Sequence, residues 1–418
     1  MTARHEPGQS VAVVGGGPAG MMAAIIAARS GGRVTLIERN EKLGKKLYIT
    51  GKGRCNVTNI AVGEGFIANV ARNPMFMMSS MAAFDSGALV GFLRSLGLET
   101  KIERGGRVFP ASDKASDVTR ALARELDRLG VRVMLNARVA EVMADRDGHA
   151  AFCGFRLEGG AIVEANAGVI ATGGASYPST GSTGDGYRLL EAVGHTIIPV
   201  RPSLTSIITR EDRPGRLAGL TLKNVTLTAT RGKRRLYQEL GELLFTHSGI
   251  SGPLALSLSA LLPDDYQGQA VKIDLKPALS DDVLESRLLR ELSAMPRSQL
   301  LAVMSKLCPR ALASEVLGIA GLSPTMPCHQ LTQQGRRALI NAVKGLPLTV
   351  AELGGMDEAV VTRGGLSVRE VNPSTMESKL IKGLYAAGEL LDVDALTGGF
   401  NLQIAFSTGY VAGKSCAG

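Results

Sequence analysis

Three glycines spaced Gly15-x-Gly17-x-x-Gly20 are the first residues in this chain that could do chemistry. They follow an apolar run, Val11 to Val14, and lead through Pro18 and Ala19 into a stretch of small apolar residues that reads as a helix to about Ser30. In that setting each glycine has a task. The first makes a tight turn, the second lets the backbone approach a pyrophosphate, and the third lets helix pack on strand. The helix N-terminus then offers unpaired N–H groups and partial positive charge to the phosphates. Gly31-Gly32 stops the helix and a second strand runs from Val34 to Ile37. Glu38, with Arg39 beside it, stands 18 positions after Gly20, where a carboxylate can accept hydrogen bonds from a ribose diol. This is a dinucleotide site.

Three distant segments point to FAD rather than NAD. An apolar strand from Val169 runs into Thr172-Gly173-Gly174. A second, from Leu384, runs into Gly388-Glu389 and Asp392, and an aspartate there can bind the ribityl or pyrophosphate region. Gly398-Gly399 with Asn401, Leu402 and Gln403 then precedes a helix expected over residues 404–413. Its N-terminal amides would favour the negative charge of a reduced flavin and raise the reduction potential.

The elements that must position these residues read as an interrupted domain. A chain of 418 residues exceeds one ordinary core, and its 45 % hydrophobic and 20 % charged composition is that of a globular protein. Amphipathic helices fit residues 85–96 and 114–129, followed by a short strand at 131–135. From about Pro199 the texture turns to short β-like segments (204–209, 225–230, 270–275), and then to helices at 281–292, 297–307, 311–319 and 333–343. The expected fold class is α/β. A split FAD-binding Rossmann-like domain (1–195 and 371–418) would enclose a small β-barrel (196–276, returning at 344–370) and a helical insert (277–343).

Together the segments resemble flavoproteins with two dinucleotide-binding domains, of the glutathione-reductase and fumarate-reductase types. The run Lys45-Lys46-Leu47-Tyr48-Ile49-Thr50-Gly51-Lys52-Gly53-Arg54-Cys55-Asn56, then Leu244 to Pro253, Thr375 to Ser378 and Gly398 to Gln403, narrows the likeness. In that order these motifs resemble the BaiN-like (YhiN-like) bacterial NAD(P)/FAD-dependent oxidoreductases, also labelled aminoacetone-oxidase-family enzymes. The resemblance implies that residues 50–56 wrap the flavin and that Val139 contacts adenine through its backbone. It also implies cofactor roles for Lys45, Lys46, Thr50, Gly51, Gly53, Arg54, Cys55 and Asn56. Gly51 and Gly53 permit close backbone approach, while Arg54 and Asn56 can hydrogen-bond the flavin or its phosphates. No histidine lies between Lys45 and Asn59, so the FAD is expected to be non-covalent.

For catalysis His247, in a Gly/Ser/Pro-rich loop, is the acid/base candidate, with a structural role as the competing reading. Arg107 and Tyr177 could orient an anionic substrate. Asp185 reads as a helix cap. The five cysteines are scattered without a Cys-x-x-Cys pair, which argues against a disulfide framework, a metal site and a dithiol cycle. A second glycine fingerprint is absent, so NAD(P)H would dock transiently, as a substrate does. The +9 net charge admits anionic partners, but the basic residues are dispersed, Trp is missing and aromatics are 4 %, which counts against nucleic acid. No run approaches the ~18 apolar residues of a membrane helix, and residues 1–10 lack a leader's apolar core, so a cytoplasmic location is expected. The leading function is an FAD-dependent oxidoreductase of a small organic molecule, by reduction of an activated C=C bond or oxidation of an amine. A flavin-dependent RNA-modifying protein and a non-catalytic flavin redox sensor are the alternatives.

Overall fold

A computed structural model describes residues 9–145 and 150–418, so residues 1–8 of the segment read for a leader lie outside the described residues. The chain divides into two units, one formed by the chain up to Ser203 and again from Met356, the other by Leu204 to Gly355.

The first unit is built on a parallel five-stranded sheet in the order Leu384–Ala386, Ala167–Ile170, Ser10–Val14, Arg33–Ile37, Arg132–Met134. The strands Leu384–Ala386, Ala167–Ile170 and Ser10–Val14 are nearly continuous apolar runs because both faces are covered, whereas the edge strand Arg132–Met134 is largely exposed. Register aligns their carboxyl ends: Val14 pairs with Ile37 and Ile170, and Ile170 with Ala386. The glycine turns at 15–20, 171–174 and 387–389 therefore leave the sheet along one edge, where ligands bind in open α/β sheets.

Two helices, Pro18–Arg29 and Phe400–Ser415, pack together over this sheet. Both are buried through most of their length, so neither shows the one-sided apolar stripe of a surface helix. Their backbones touch: a Cβ on Gly409 would lie 2.4 Å from the Ala19 carbonyl oxygen, and one on Gly413 2.4 Å from that of Ala23. The second helix starts at Phe400 instead of the expected 404, because Gly399 at φ 103° caps it in the left-handed region. Asn401, Leu402 and Gln403 thus occupy its first turn.

An antiparallel pair, Ile197–Ser203 with Val361–Leu366, belongs to the first unit, whereas the sequence placed both segments with the barrel. The reason is hydrogen bonding to the segment Gly388 to Asp392. Asp392 N–H donates to the Leu366 carbonyl at 2.9 Å, and Thr362 N–H to Glu389 Oε1 at 2.9 Å.

The second unit is a closed barrel of six strands in the cyclic order Ile207–Thr209, Gly249–Ser251, Arg234–Phe245, Thr221–Arg231, Ala270–Asp274, Leu346–Leu353. The helices Asp281–Ala294, Leu300–Met304, Arg310–Ile319 and Gln333–Lys344 enter between its last two strands and share its core. The second of these is shorter than the expected 297–307. Ser280 and Thr332 cap two of them by accepting from Val283 N–H and Gly335 N–H. Among the described residues no single helix is long and apolar enough to cross a membrane, and no group of three or more His, Cys, Asp or Glu could hold a metal.

The helix contact is directly testable. Gly409→Ala would drive a methyl into the Ala19 carbonyl and should cost about 1–3 kcal/mol by overpacking, read as a lowered thermal midpoint. An unchanged midpoint would show that the two helices can separate without loss.

Candidate functional site

The three fingerprint glycines are not equivalent. A Cβ on Gly15 (φ 105°) would lie 2.3 Å from the Ala171 carbonyl oxygen, and one on Gly20 1.8 Å from the Gly15 oxygen. Both are dictated by the protein's own packing. A Cβ on Gly17 would meet nothing within 4 Å, and its backbone is extended at φ −79°. The space above Gly17 is open. Pro18 and Ala19 begin the helix there, and no side chain caps its first-turn amides.

Glu38 ties this loop to the second strand. Its Oε2 accepts from Gly16 N–H at 2.6 Å, and Oε1 accepts from the Asn40 N–H and side-chain amide at 2.7 and 2.8 Å. Oε2 retains a lone pair for a ligand hydroxyl. Arg39 turns to Thr183 and Asp185 at 2.6 and 2.9 Å. Asp185 is not the expected cap. Gly184 caps that helix, and the Asp185 carboxylate is gripped by Arg138, whose guanidinium holds it below the usual carboxylate range.

The loop that was expected to wrap the flavin is strongly turned: Gly51, Lys52, Gly53 and Cys55 all have left-handed φ. Thr50 Oγ1 donates back to the Leu47 carbonyl, and Lys45 pairs with Glu41 at the surface. Lys46 reaches inward to Ser176 Oγ at 2.7 Å and to both oxygens of Glu389 at 2.9 and 3.1 Å. Glu389 also accepts from Thr362 N–H, so it locks three chain segments together. Arg54, expected at the flavin or its phosphates, is engaged by carboxylates. Its donors go to Glu103 and Asp113, and it lies over the Phe109 ring at 4.2 Å. Cys55 is buried and its thiol is pushed up to about 12, so it presents no thiolate.

Asn56 behaves differently. Its Oδ1 is buried without a hydrogen-bond partner and lies 2.9 Å from where a Cβ on Gly399 would sit. Thr172 Oγ1 is likewise buried and unpartnered. Gly174 packs against Thr362, Gly173 takes φ 76°, and Gly388 packs against Ala19. Val139 is buried at the start of the strand Val139–Asp145. Two residues expected at the cofactor turn away. The fully buried Gln403 bonds Thr58, Phe84 and Ser407, and Asn401 clamps both backbone groups of Ala395. Leu402 is half-buried beside them. Open space over Gly17, uncapped helix amides and orphaned polar atoms at Asn56 and Thr172 are what a dinucleotide with an extended flavin end requires.

Of the catalytic candidates, one lies in the second unit and two in the first. His247 is exposed in the second unit, between Arg234–Phe245 and Gly249–Ser251, with no side-chain hydrogen bond among the described residues. Arg107 is exposed in the first unit, donating to the Arg104 carbonyl at 3.1 Å. Tyr177 is held left-handed at φ 54°, and its N–H donates to the Met356 carbonyl.

The structure also assembles two polar clusters, one of which joins Asp392, expected at the ribityl or pyrophosphate region, to Asp394, which escaped the sequence reading. Ser378, His195 and Glu370 have the connectivity of a hydrolytic triad, with Ser378 Oγ 2.9 Å from His195 Nε2 and His195 Nδ1 3.0 Å from Glu370. Yet Ser378 Oγ already accepts from Leu380 and Ile381 N–H at 3.0 and 2.9 Å. With both lone pairs filled it is no nucleophile, and the chain is a buried clamp. The second cluster is Asp392 and Asp394. Ser203 Oγ donates to Asp394 Oδ2 at 2.7 Å and Asn73 donates to Asp392 Oδ2 at 3.0 Å, while Oδ1 of each is buried without a hydrogen bond. Burial raises both carboxyls, Asp394 to about 6. The alternation Asp392-Val-Asp394 inside an apolar segment was the available signal.

Because the folded carboxyl of Asp394 is raised, the native state holds its proton longer than the unfolded chain. Stability from this group is intact below the ordinary aspartate value of 3.8, falls as pH rises from there to about 6, and is level above. Asp394→Asn should therefore remove a loss of roughly 3 kcal/mol between pH 4 and 8. Chemical unfolding at both pH values checks it, and an identical pH dependence in both proteins would refute the assignment.

The residues from 9 to 415 match the family model described as "HI0933-like protein Rossmann domain". A 3-dehydro-bile acid delta(4,6)-reductase of Clostridium scindens is 34 % identical over 97 % of this chain and 98 % of its own. A ribosomal RNA dihydrouridine synthase of Escherichia coli is 32 % identical over 96 % of each chain. Among solved structures, the open conformation of a flavocytochrome c3 fumarate reductase superposes with a TM-score of 0.52 at 17 % identity, over 100 % of this chain and 79 % of its own. With the glycine cradle, the Glu38 tie and a full-length match in hand, the chain belongs to the HI0933-like Rossmann family.

Proposed function

We propose that this chain is an FAD-dependent reductase of a carbon–carbon double bond conjugated to a carbonyl group. The observation that carries the cofactor is the open space over Gly17, at a glycine whose own protein environment would accept a side chain. Gly15 to Gly20 and the helix at Pro18 would hold the pyrophosphate, Glu38 the ribose, and Asn56 with the Gly399 helix terminus the flavin end. FAD supplies two-electron hydride transfer, and the protein supplies binding, orientation and the proton. The reaction class is supported by the two full-length relatives. A delta(4,6)-reductase and a dihydrouridine synthase are both named for saturating such a bond.

A small organic substrate is favoured over RNA by the state of the basic side chains. At the hairpin tip Arg231 pairs with Asp265 and Arg235 with Gln238, while Arg39, Arg54 and Arg138 are engaged by carboxylates. Few of these arginines are left to follow a phosphate backbone. The RNA reading draws on the dihydrouridine-synthase relative and the +9 charge. NADH or NADPH would serve as an electron donor that docks and leaves.

Gly17→Ala should leave the unfolding midpoint of the apoprotein unchanged while weakening FAD retention at least tenfold, about 1.4 kcal/mol. Flavin fluorescence titration checks this, and undiminished affinity would remove the pyrophosphate assignment. For the reaction, anaerobic NADH or NADPH should bleach the flavin band and a polycyclic enone acid should restore it. Restoration by unmodified ribosomal RNA alone would move the substrate class to RNA.

A further inference from the structure

Asp394 has the attributes of an internal acid. It is 1 % exposed, its Oδ2 is held by Ser203, and its Oδ1 is buried with no partner. It lies on the segment between Gly388, which packs on Ala19, and Gly399, which meets Asn56. That segment links the pyrophosphate end of the site to the flavin end. Its backbone is anchored there too, since the Asp394 carbonyl accepts from the N–H groups of Ala71 and Arg72 at 2.8 and 3.3 Å.

We propose that Asp394 holds the proton consumed at this site, with Ser203 setting how tightly it is held. The inference rests on the reading of a flavin-dependent reduction. In that reaction FAD, in its anionic reduced form, would supply the hydride that reaches the carbon β to the carbonyl and would return to its oxidised form. The α carbon gains the proton that leaves the Asp394 carboxyl, and the C=C bond becomes CH–CH. The carboxylate then recovers a proton from water once the product has gone.

The charged surroundings suit an acid that must ionise and recover. Arg72 on one side and Arg363 on the strand Val361–Leu366 favour the carboxylate, as does the Ser203 hydroxyl, while burial and the neighbouring Asp392 oppose it. Arg72 Nε stands 3.8 Å from Asp392 Oδ1, and Asn73 donates to Asp392 Oδ2, so Asp392 is the better compensated of the two. Asp394 retains one oxygen without a partner, which is the atom free to carry and release a proton.

A reduced flavin is negatively charged, and a nearby negative charge raises a carboxyl pKa. Reduction of the bound flavin should therefore draw a proton onto Asp394, giving the midpoint potential a bend in its pH dependence that begins near 6. Anaerobic redox titration of the FAD-loaded protein from pH 5 to 9 reads this without substrate. Asp394→Asn should abolish the bend. Ser203→Ala removes a bond that favours the carboxylate and should shift the bend to higher pH, which keeps the test open if the first variant does not fold. A wild-type titration without a bend, a bend that survives in Asp394→Asn, or one unmoved in Ser203→Ala overturns the proposal. Failure of the wild-type protein to retain FAD would instead overturn the cofactor reading on which it rests.

Discussion

The contact of Ala19 and Ala23 with Gly409 and Gly413 is the constraint on which the first unit depends. It joins the helix that opens the chain to the helix that closes it, separated by nearly four hundred residues. Side chains larger than hydrogen at the two glycines would hold the helices apart by the width of a methyl group. At the approach they permit, the turn at Gly388 packs on Ala19 of the glycine turn, and the same closing helix carries its N-terminus at Gly399 to Asn56. A ligand that spans all three is then bound by elements from both ends of the sequence.

Carboxylates do the remaining fastening. Glu38 holds the glycine loop to its strand, Glu389 joins Lys46, Ser176 and Thr362, and Asp185 collects Arg39 and Arg138. Each satisfies loop N–H groups or cations that would otherwise lie unpaired at the edge of a sheet, where loops contribute few bonds of their own. Against this background a few buried oxygens of the first unit stand out as lacking a partner, those of Asn56, Ser80, Thr172, Asp392 and Asp394. Thr172 follows a strand of the parallel sheet, and Asp392 and Asp394 lead to the capping glycine. Unsatisfied polar atoms are costly in a folded protein, so each of these oxygens is a place where a bound group could supply the missing bond.

The folding pattern was largely readable from local signals. Strand, glycine turn, helix and acid follow one another within residues 10–38, so short-range periodicity and spacing suffice to place them. The barrel and its helical insert were legible for the same reason. The strands Ile197–Ser203 and Val361–Leu366 were misplaced because β texture does not say which sheet a strand joins; here that is decided by the bonds of Leu366 to Asp392 and of Thr362 to Glu389. Arg54, Gln403 and Asn401 take protein partners that the sequence did not show, for a related reason. Their types suit a ligand, but Glu103, Thr58 and Ala395, distant or unremarkable in sequence, reach them first.

What the sequence determined by itself is therefore the dinucleotide cradle, because a turn that admits only glycine and a helix start that offers bare amides are local properties. Tertiary structure alone decided which polar groups remain available. Whether Glu389 is spent on Lys46, whether Ser378 keeps a lone pair, and whether Asp394 is buried all depend on partners many residues away. A side chain's hydrogen-bonding capacity is intrinsic to its type, but how much of it stays free is fixed only when the chain has closed around it.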